Sequence, residues 1–210
     1  MRAWAEHVRA RRPALLGASP GRVVLTLTEA PPPLAVFPFR KDPVAVVAAD
    51  GHDDGPGALL EALEGLGAVS AYTVERAYPV VYEQRWDDGT PTPSPMLLTL
   101  LRRRRGLSDE AYLRRWHGGH TPLSLRIHPL WHYERNAIVA PLTDDTAPCD
   151  GIVAEACPTR ADLLDPRRFY GGTLAMIPNM VRVGLDVLGF LDLRLTEVFL
   201  TTEWVLRRGR

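Results

Sequence analysis

Apolar and polar positions follow two spacings along this chain, and they divide it into elements. Trp4 to Leu16 suits a helix, interrupted near its end by Pro13. Arg22 to Thr28 (RVVLTLT) is a β-branched run that predicts a strand. Pro31 to Pro33, with Pro38, separate it from Val44 to Ala49 (VAVVAA), a short apolar run of buried-strand character. Gly51 to Gly57 (GHDDGPG) predicts a turn, and Ala58 to Leu66 a short helix with Leu59, Leu63 and Leu66 on one face. Val69 to Tyr82 reads as a long strand limited by Pro79.

Residues 86–95 (WDDGTPTPSP) have no periodicity and read as a linker. Met96 to Leu101 is apolar on both faces, a strand covered on both sides. Ser108 is a good N-cap, with Asp109 and Glu110 where the helix dipole favours them. That helix should run to about His117 and stop at Gly118-Gly119. Trp131 to Ala140 and Asp150 to Cys157 read as strands, and Ala161 to Tyr170 and Asn179 to Leu188 as helices. Leu193 to Leu206 is a long closing strand.

Residues 96–210 therefore have the order β-α-β-β-α-β, that of a ferredoxin-like split βαβ unit. Residues 1–85 show the same order without the opening strand. The expected fold class is α+β: two ferredoxin-like halves forming a dimeric α/β-barrel-type fold within one chain. A complete unit needs roughly 100 residues, so 210 hold two only tightly. Either the chain begins late or Met1 is not the natural start.

Composition narrows the function classes. At 46% apolar and 24% charged residues, the chain has the makings of a folded protein. No apolar run is long enough for a membrane span, and the N-terminus has no secretory h-region. A net charge of zero gives no electrostatic case for nucleic acid. Cys149 and Cys157 flank a strand that separates them by ~26 Å, so no disulfide is expected and a reduced, cytoplasmic protein is the simplest reading.

The segment Arg105 to Leu123 (RGLSDEAYLRRWHGGHTPL) is more specific. With Trp116, His120, Pro122 and Leu123, then Tyr133 and Asn136, the Asp150 to Glu155 strand (DGIVAE) and the closing Thr202 to Leu206 (TEWVL), it resembles the EthD family of the dimeric α/β-barrel superfamily. The resemblance covers about Met96 to Leu206. It implies two ferredoxin-like sheets packed face to face around a ligand cavity, supplied by two chains or by one long chain. Here that means a monomer with an internal pseudo-dimer, or a homodimer. Relatives on that superfold include polyketide cyclases, a lactone isomerase and cofactor-independent monooxygenases.

The candidate catalytic residues are His120, Tyr133 and Glu155, with Trp116 and Asn136 as substrate-binding residues. His120 suits a general base beside a carbonyl, because imidazole titrates near neutral pH; the rival reading is a helix-terminus His that orders the loop. Tyr133 and Asn136 differ by three positions, so on a regular strand they face opposite ways. Tyr133 shares a face with Trp131 and Arg135, Asn136 with His132 and Glu134, and one set should line the cavity. Glu155 is either a desolvated acid or base, or the partner of an Arg such as Arg126 or Arg135. Glu197 and Glu203 merit the same test.

Four of the six His lie between His117 and His132, but Pro129 breaks helical i, i+4 ligation, and no metal or cofactor is expected. The expected function is binding of a small apolar, aromatic or polyketide-like carbonyl compound, with cofactor-independent lyase, cyclase or isomerase chemistry. The alternative is a non-catalytic binder in a degradative or biosynthetic pathway.

Overall fold

The apolar runs become seven strands. They are β1 (Val23–Thr28), β2 (Ala45–Ala49), β3 (Tyr72–Val80), β4 (Met96–Leu101), β5 (His132–Pro141), β6 (Gly151–Ala156) and β7 (Glu197–Arg207). The structure is a computed structural model that describes residues 2–33, 35, 37–51 and 56–209. Most of the turn expected over Gly51 to Gly57 lies outside the described residues. The strands form one antiparallel sheet in the order β2-β1-β7-β4-β6-β5-β3.

Two sheets packed face to face are therefore not what these strands adopt. The strands of residues 1–85 flank those of residues 96–210 on both edges. With no opening strand of its own to pair with, the β1–β2 hairpin pairs with the free edge of β7, and β3 with that of β5. The segment 86–95 is also fixed to the sheet. Gly89 and Thr92 donate backbone hydrogen bonds to the Val205 and Glu203 carbonyls at 2.7 and 2.8 Å, along the β7 edge that β4 leaves open.

The sheet is a curled half-barrel, and its ion pairs show how far it curls. Arg22, beside β1, lies 3.8 Å from Glu134 on β5. Those strands are four intervals apart, ~19 Å in a flat sheet. Arg76 of edge strand β3 pairs with Asp50, one residue beyond the opposite edge strand β2. Both contacts lie on the face that the helices leave free, so that face is concave.

Helices cover the other face. They are α1 (Arg2–Ala10), α2 (Arg12–Ala18), α3 (Gly57–Leu63), α4 (Asp109–Leu113), α5 (Thr121–Ile127), α6 (Arg160–Leu164), α7 (Pro166–Phe169) and α8 (Met176–Leu188). Ser108 caps α4 through Ala111 N–H at 3.2 Å, as its sequence suggests. Gly118-Gly119 do not stop the helix. Arg114–His120 forms a π-helical turn that leads straight into α5. Pro122 has no N–H to give the Gly118 carbonyl, and the wider register is closed by Thr121 N–H on the Trp116 carbonyl. Pro178 does not interrupt α8 because it lies in the first turn, where no N–H partner is needed.

Candidate functional site

Strand alternation divides β5 between two buried layers. Tyr133 packs with Trp116, Tyr112 and Phe190 under the helices. His132, Glu134 and Asn136 point the other way, into the concave face. Tyr133 and Arg135 thus face the helix layer, whereas Trp131, expected on their face, lies ahead of the strand and packs on the concave side.

The concave face carries a buried polar network. Glu134 accepts a hydrogen bond from Asn136 Nδ2 at 2.9 Å, and its carboxylate lies 3.4 Å from Arg76 Nε and 3.8 Å from Arg22. Arg76 Nε also donates to Asn136 Oδ1 at 3.1 Å. Beside this, Tyr82 donates its hydroxyl proton to Glu203, which also accepts from Thr92 Oγ1 at 3.3 Å. Glu203 is 1% exposed, and burial raises its carboxyl pKa. Burial, with Glu203 beside it, raises Tyr82 as well.

His132 lies at the centre of this network. It is fully buried, and among the described residues neither ring nitrogen has a hydrogen-bond partner; the Glu134 carboxylate stands 4.0 Å from Nε2. Tyr82 covers it, with ring centroids 4.5 Å apart, and Trp131 and Trp86 continue the aromatic layer. Burial pushes the imidazole down to about 4, so it is neutral at physiological pH. A cavity of about 130 Å³ opens here, lined by Arg22, Tyr82, Gln84, His132, Val205 and Arg208 among others. A neutral imidazole, a Tyr–Glu proton path and two guanidinium groups around one void can bind an anion or carbonyl and move a proton.

A second cavity, of about 270 Å³, lies against α1 between Arg9, Glu29 and Trp204. It is larger, but no buried polar atom lacking a partner belongs to its lining.

The other residues singled out from the sequence sit in the helix layer. Of the five leading candidates only Asn136 reaches the concave face, where Glu203 joins it. His120 does not follow a helix stop; it ends the π-helical turn. Its Nδ1–H donates to Asp186 on α8 at 2.7 Å, and its Nε2 accepts from Ser124 Oγ at 3.2 Å. Both nitrogens are occupied, so His120 ties α8 to the π-helical turn. Burial lowers its pKa, and Asp186 opposes the shift. Trp116 is fully buried against β6. Glu155 stands opposite Tyr133 and has no side-chain hydrogen bond among the described residues. The four clustered His do not converge: His128 donates to the Phe169 carbonyl at 2.9 Å, and His132 is across the sheet from His120. Among the described residues no group of three or more His, Cys, Asp or Glu is placed to hold a metal ion.

Tyr82, Arg22 and the pairing of Glu203 are what sequence reasoning missed. Tyr82 lies two residues beyond β3 and reaches Glu203 from 121 residues away, so no local pattern signals the pair. The alternation of His132, Glu134 and Asn136 was the available signal: three polar groups in a row on one face of an otherwise apolar sheet.

His132 makes a pH prediction. A buried imidazole whose folded pKa lies below its unfolded value of about 6.5 supports the fold above that pH. The contribution is lost as pH falls from about 6.5 towards about 4. His132→Gln should flatten the dependence of unfolding free energy on pH in that window by roughly 2 to 3 kcal/mol. Urea titrations of both proteins at several pH values measure it; parallel pH curves would mean that the imidazole is charged or partnered in the fold.

Compared with family models, curated proteins and solved structures, the chain has no match.

Proposed function

We propose that the concave face binds a small carbonyl compound and transfers a proton next to its carbonyl, as in cofactor-independent isomerase, lyase or cyclase chemistry. The observation that carries this reading is His132: a neutral, fully buried imidazole, without a hydrogen bond at either nitrogen among the described residues, beside a cavity. Buried polar groups are nearly always paired, and one left open beside a void is poised for a ligand atom. In this reading His132 donates a hydrogen bond to the carbonyl oxygen. Tyr82 takes the carbon-bound proton while passing its own to the Glu203 carboxylate, so the negative charge leaves the carboxylate for the enolate and the phenol is never ionised.

Cavity size limits the substrate. About 130 Å³ is near the ~150 Å³ of a cavity that holds benzene, so a single ring fits. Arg22, whose Nη1 has no hydrogen-bond partner among the described residues, favours a compound that carries a carboxylate or becomes an enolate. The reading moves the chemistry from His120, whose nitrogens are occupied, to His132. It keeps the EthD-like ferredoxin unit as a proposal. The element order β-α-β-β-α-β over residues 96–210 and the neighbour order β7-β4-β6-β5 support that proposal.

The test is a panel of single-ring keto and hydroxy acids, scored by thermal stabilisation and by exchange of the carbon-bound proton with deuterium. Wild type and His120→Ala should bind and exchange. His132→Ala should lose both, and Tyr82→Phe should keep binding while exchange falls at least a hundredfold. Binding without exchange by wild type would favour the alternative, a non-catalytic binder. Exchange that survives His132→Ala and Tyr82→Phe would remove the concave face from the mechanism.

A further inference from the structure

Helix α8 is thirteen residues long, and none of them is buried. One side packs on the body through Met176, Met180, Val183 and Val187, with Asp186 held by His120. The other side leaves Ile177, Val181, Leu185 and Leu188 between 49% and 68% exposed. Leu174, just ahead of the helix, is 94% exposed. Steps of three and four residues place all five in one stripe. A lone exposed Leu is ordinary, whereas a contiguous apolar stripe marks a contact surface.

The spacing of the stripe names its occupant. Leu174 and Leu188 lie seven residues either side of Val181, Ile177 and Leu185 four, and Pro178 and Gly184 three. The pattern reads the same in both directions. A two-fold interface requires this self-complementarity, because residue i meets j where j meets i. An antiparallel second copy sets Val181 on Val181, Ile177 on Leu185 and Leu174 on Leu188, with Gly184 leaving room for Pro178. We infer that α8 is a homodimer interface, two copies packing antiparallel about an axis through Val181.

Area and charge agree with that occupant. At these exposures the five side chains present on the order of 550 Å² per chain, so two copies bury about 1,100 Å², the lower end for a specific interface. Helices that lie on membranes carry a polar face rich in Lys and Arg. From Leu174 to Leu188 the only basic residue is Arg182, and the only acidic one, Asp186, is held by His120.

The test uses the full chain in sedimentation velocity over a wide concentration range, where the mass should approach twice that of one chain. Val181→Lys puts two like charges face to face and should leave a monomer. Circular dichroism should match wild type, since Val181 is 57% exposed. Helices ~8–10 Å apart bring the two position-181 Cα atoms to ~4–5 Å, within disulfide reach. Val181→Cys, with Cys149→Ser to remove the half-buried free thiol, should link into a dimer under mild oxidation, and Leu174→Cys alone should not. A monomer at every concentration, or a dimer that survives Val181→Lys, overturns the inference. So does a dimer whose Val181→Cys form does not link, or a monomer that floats with anionic vesicles.

Discussion

Trp116→Ala should destabilise the fold by roughly 3 to 5 kcal/mol, the cost of emptying a large aromatic site in a packed core. Sequence reasoning gives Trp116 a place in the wall of a ligand pocket. The structure buries it completely, between Tyr112, Tyr133, Val153 and Phe190. Its ring lies directly over Gly151, where an added Cβ would stand 2.7 Å from two ring carbons. The glycine at the start of β6 therefore makes room for the indole, and the π-helical turn is what carries Trp116 to it. Gly151→Ala should cost about 1 to 3 kcal/mol from the other side of the same contact. Chemical denaturation of both variants checks this. A Trp116→Ala protein of near wild-type stability that no longer binds ligand would restore the pocket-wall reading.

Glu155→Gln should stabilise the protein at pH 8 and leave it unchanged near pH 4. The Glu155 carboxyl sits in the apolar layer between sheet and helices, opposite Tyr133 and Leu97, and burial alone pushes it up to about 7. A carboxyl whose folded pKa exceeds its unfolded value holds its proton longer in the fold. Folding stability is thus full below about 4.5 and is lost as pH rises towards and through 7. Above that range the ionised form costs about 3 kcal/mol, which the amide avoids. For a chain of this length the gain at pH 8 is about 6 to 12 °C in melting temperature. Melting curves of wild type and variant between pH 4 and 8 should diverge upwards. Equal curves at pH 8 would show that a cation or ordered water compensates the carboxylate. Of the two readings the sequence offers for Glu155, a desolvated acid or base and an Arg partner, the structure shows a desolvated carboxyl with no ion pair to Arg126 or Arg135 among the described residues.

The trend of His132 runs opposite. It favours the fold at higher pH and Glu155 favours it at lower pH, so the two slopes nearly cancel and together leave stability level between about pH 4.5 and 6.5.

Much of the element order follows from the sequence alone, because its causes are local. The apolar run of Met96 to Leu101 forms β4 over the same residues. Ser108 caps α4 with its own side chain. The three-residue offset between Tyr133 and Asn136 sends them to opposite faces, since a strand's side chains alternate whatever the rest of the chain does. The overall mix of helix and strand is legible for the same reason.

Tertiary structure decides what those elements do. Gly118-Gly119 look like a helix stop, yet packing of Trp116 on Gly151 and the missing N–H of Pro122 carry the chain through as a π-helical turn. That shift places His120 between Asp186 and Ser124 instead of at a cavity mouth. The curl of the sheet is likewise set by partners far apart in sequence. Arg22 with Glu134, Arg76 with Asp50 and Tyr82 with Glu203 cross the concave face over separations that no periodicity records. Alternation shows that His132, Glu134 and Asn136 share a face; only the curl of the sheet gathers that face into one polar site. Local preference acts within a few residues, whereas desolvation and ion pairing depend on what the finished fold brings together.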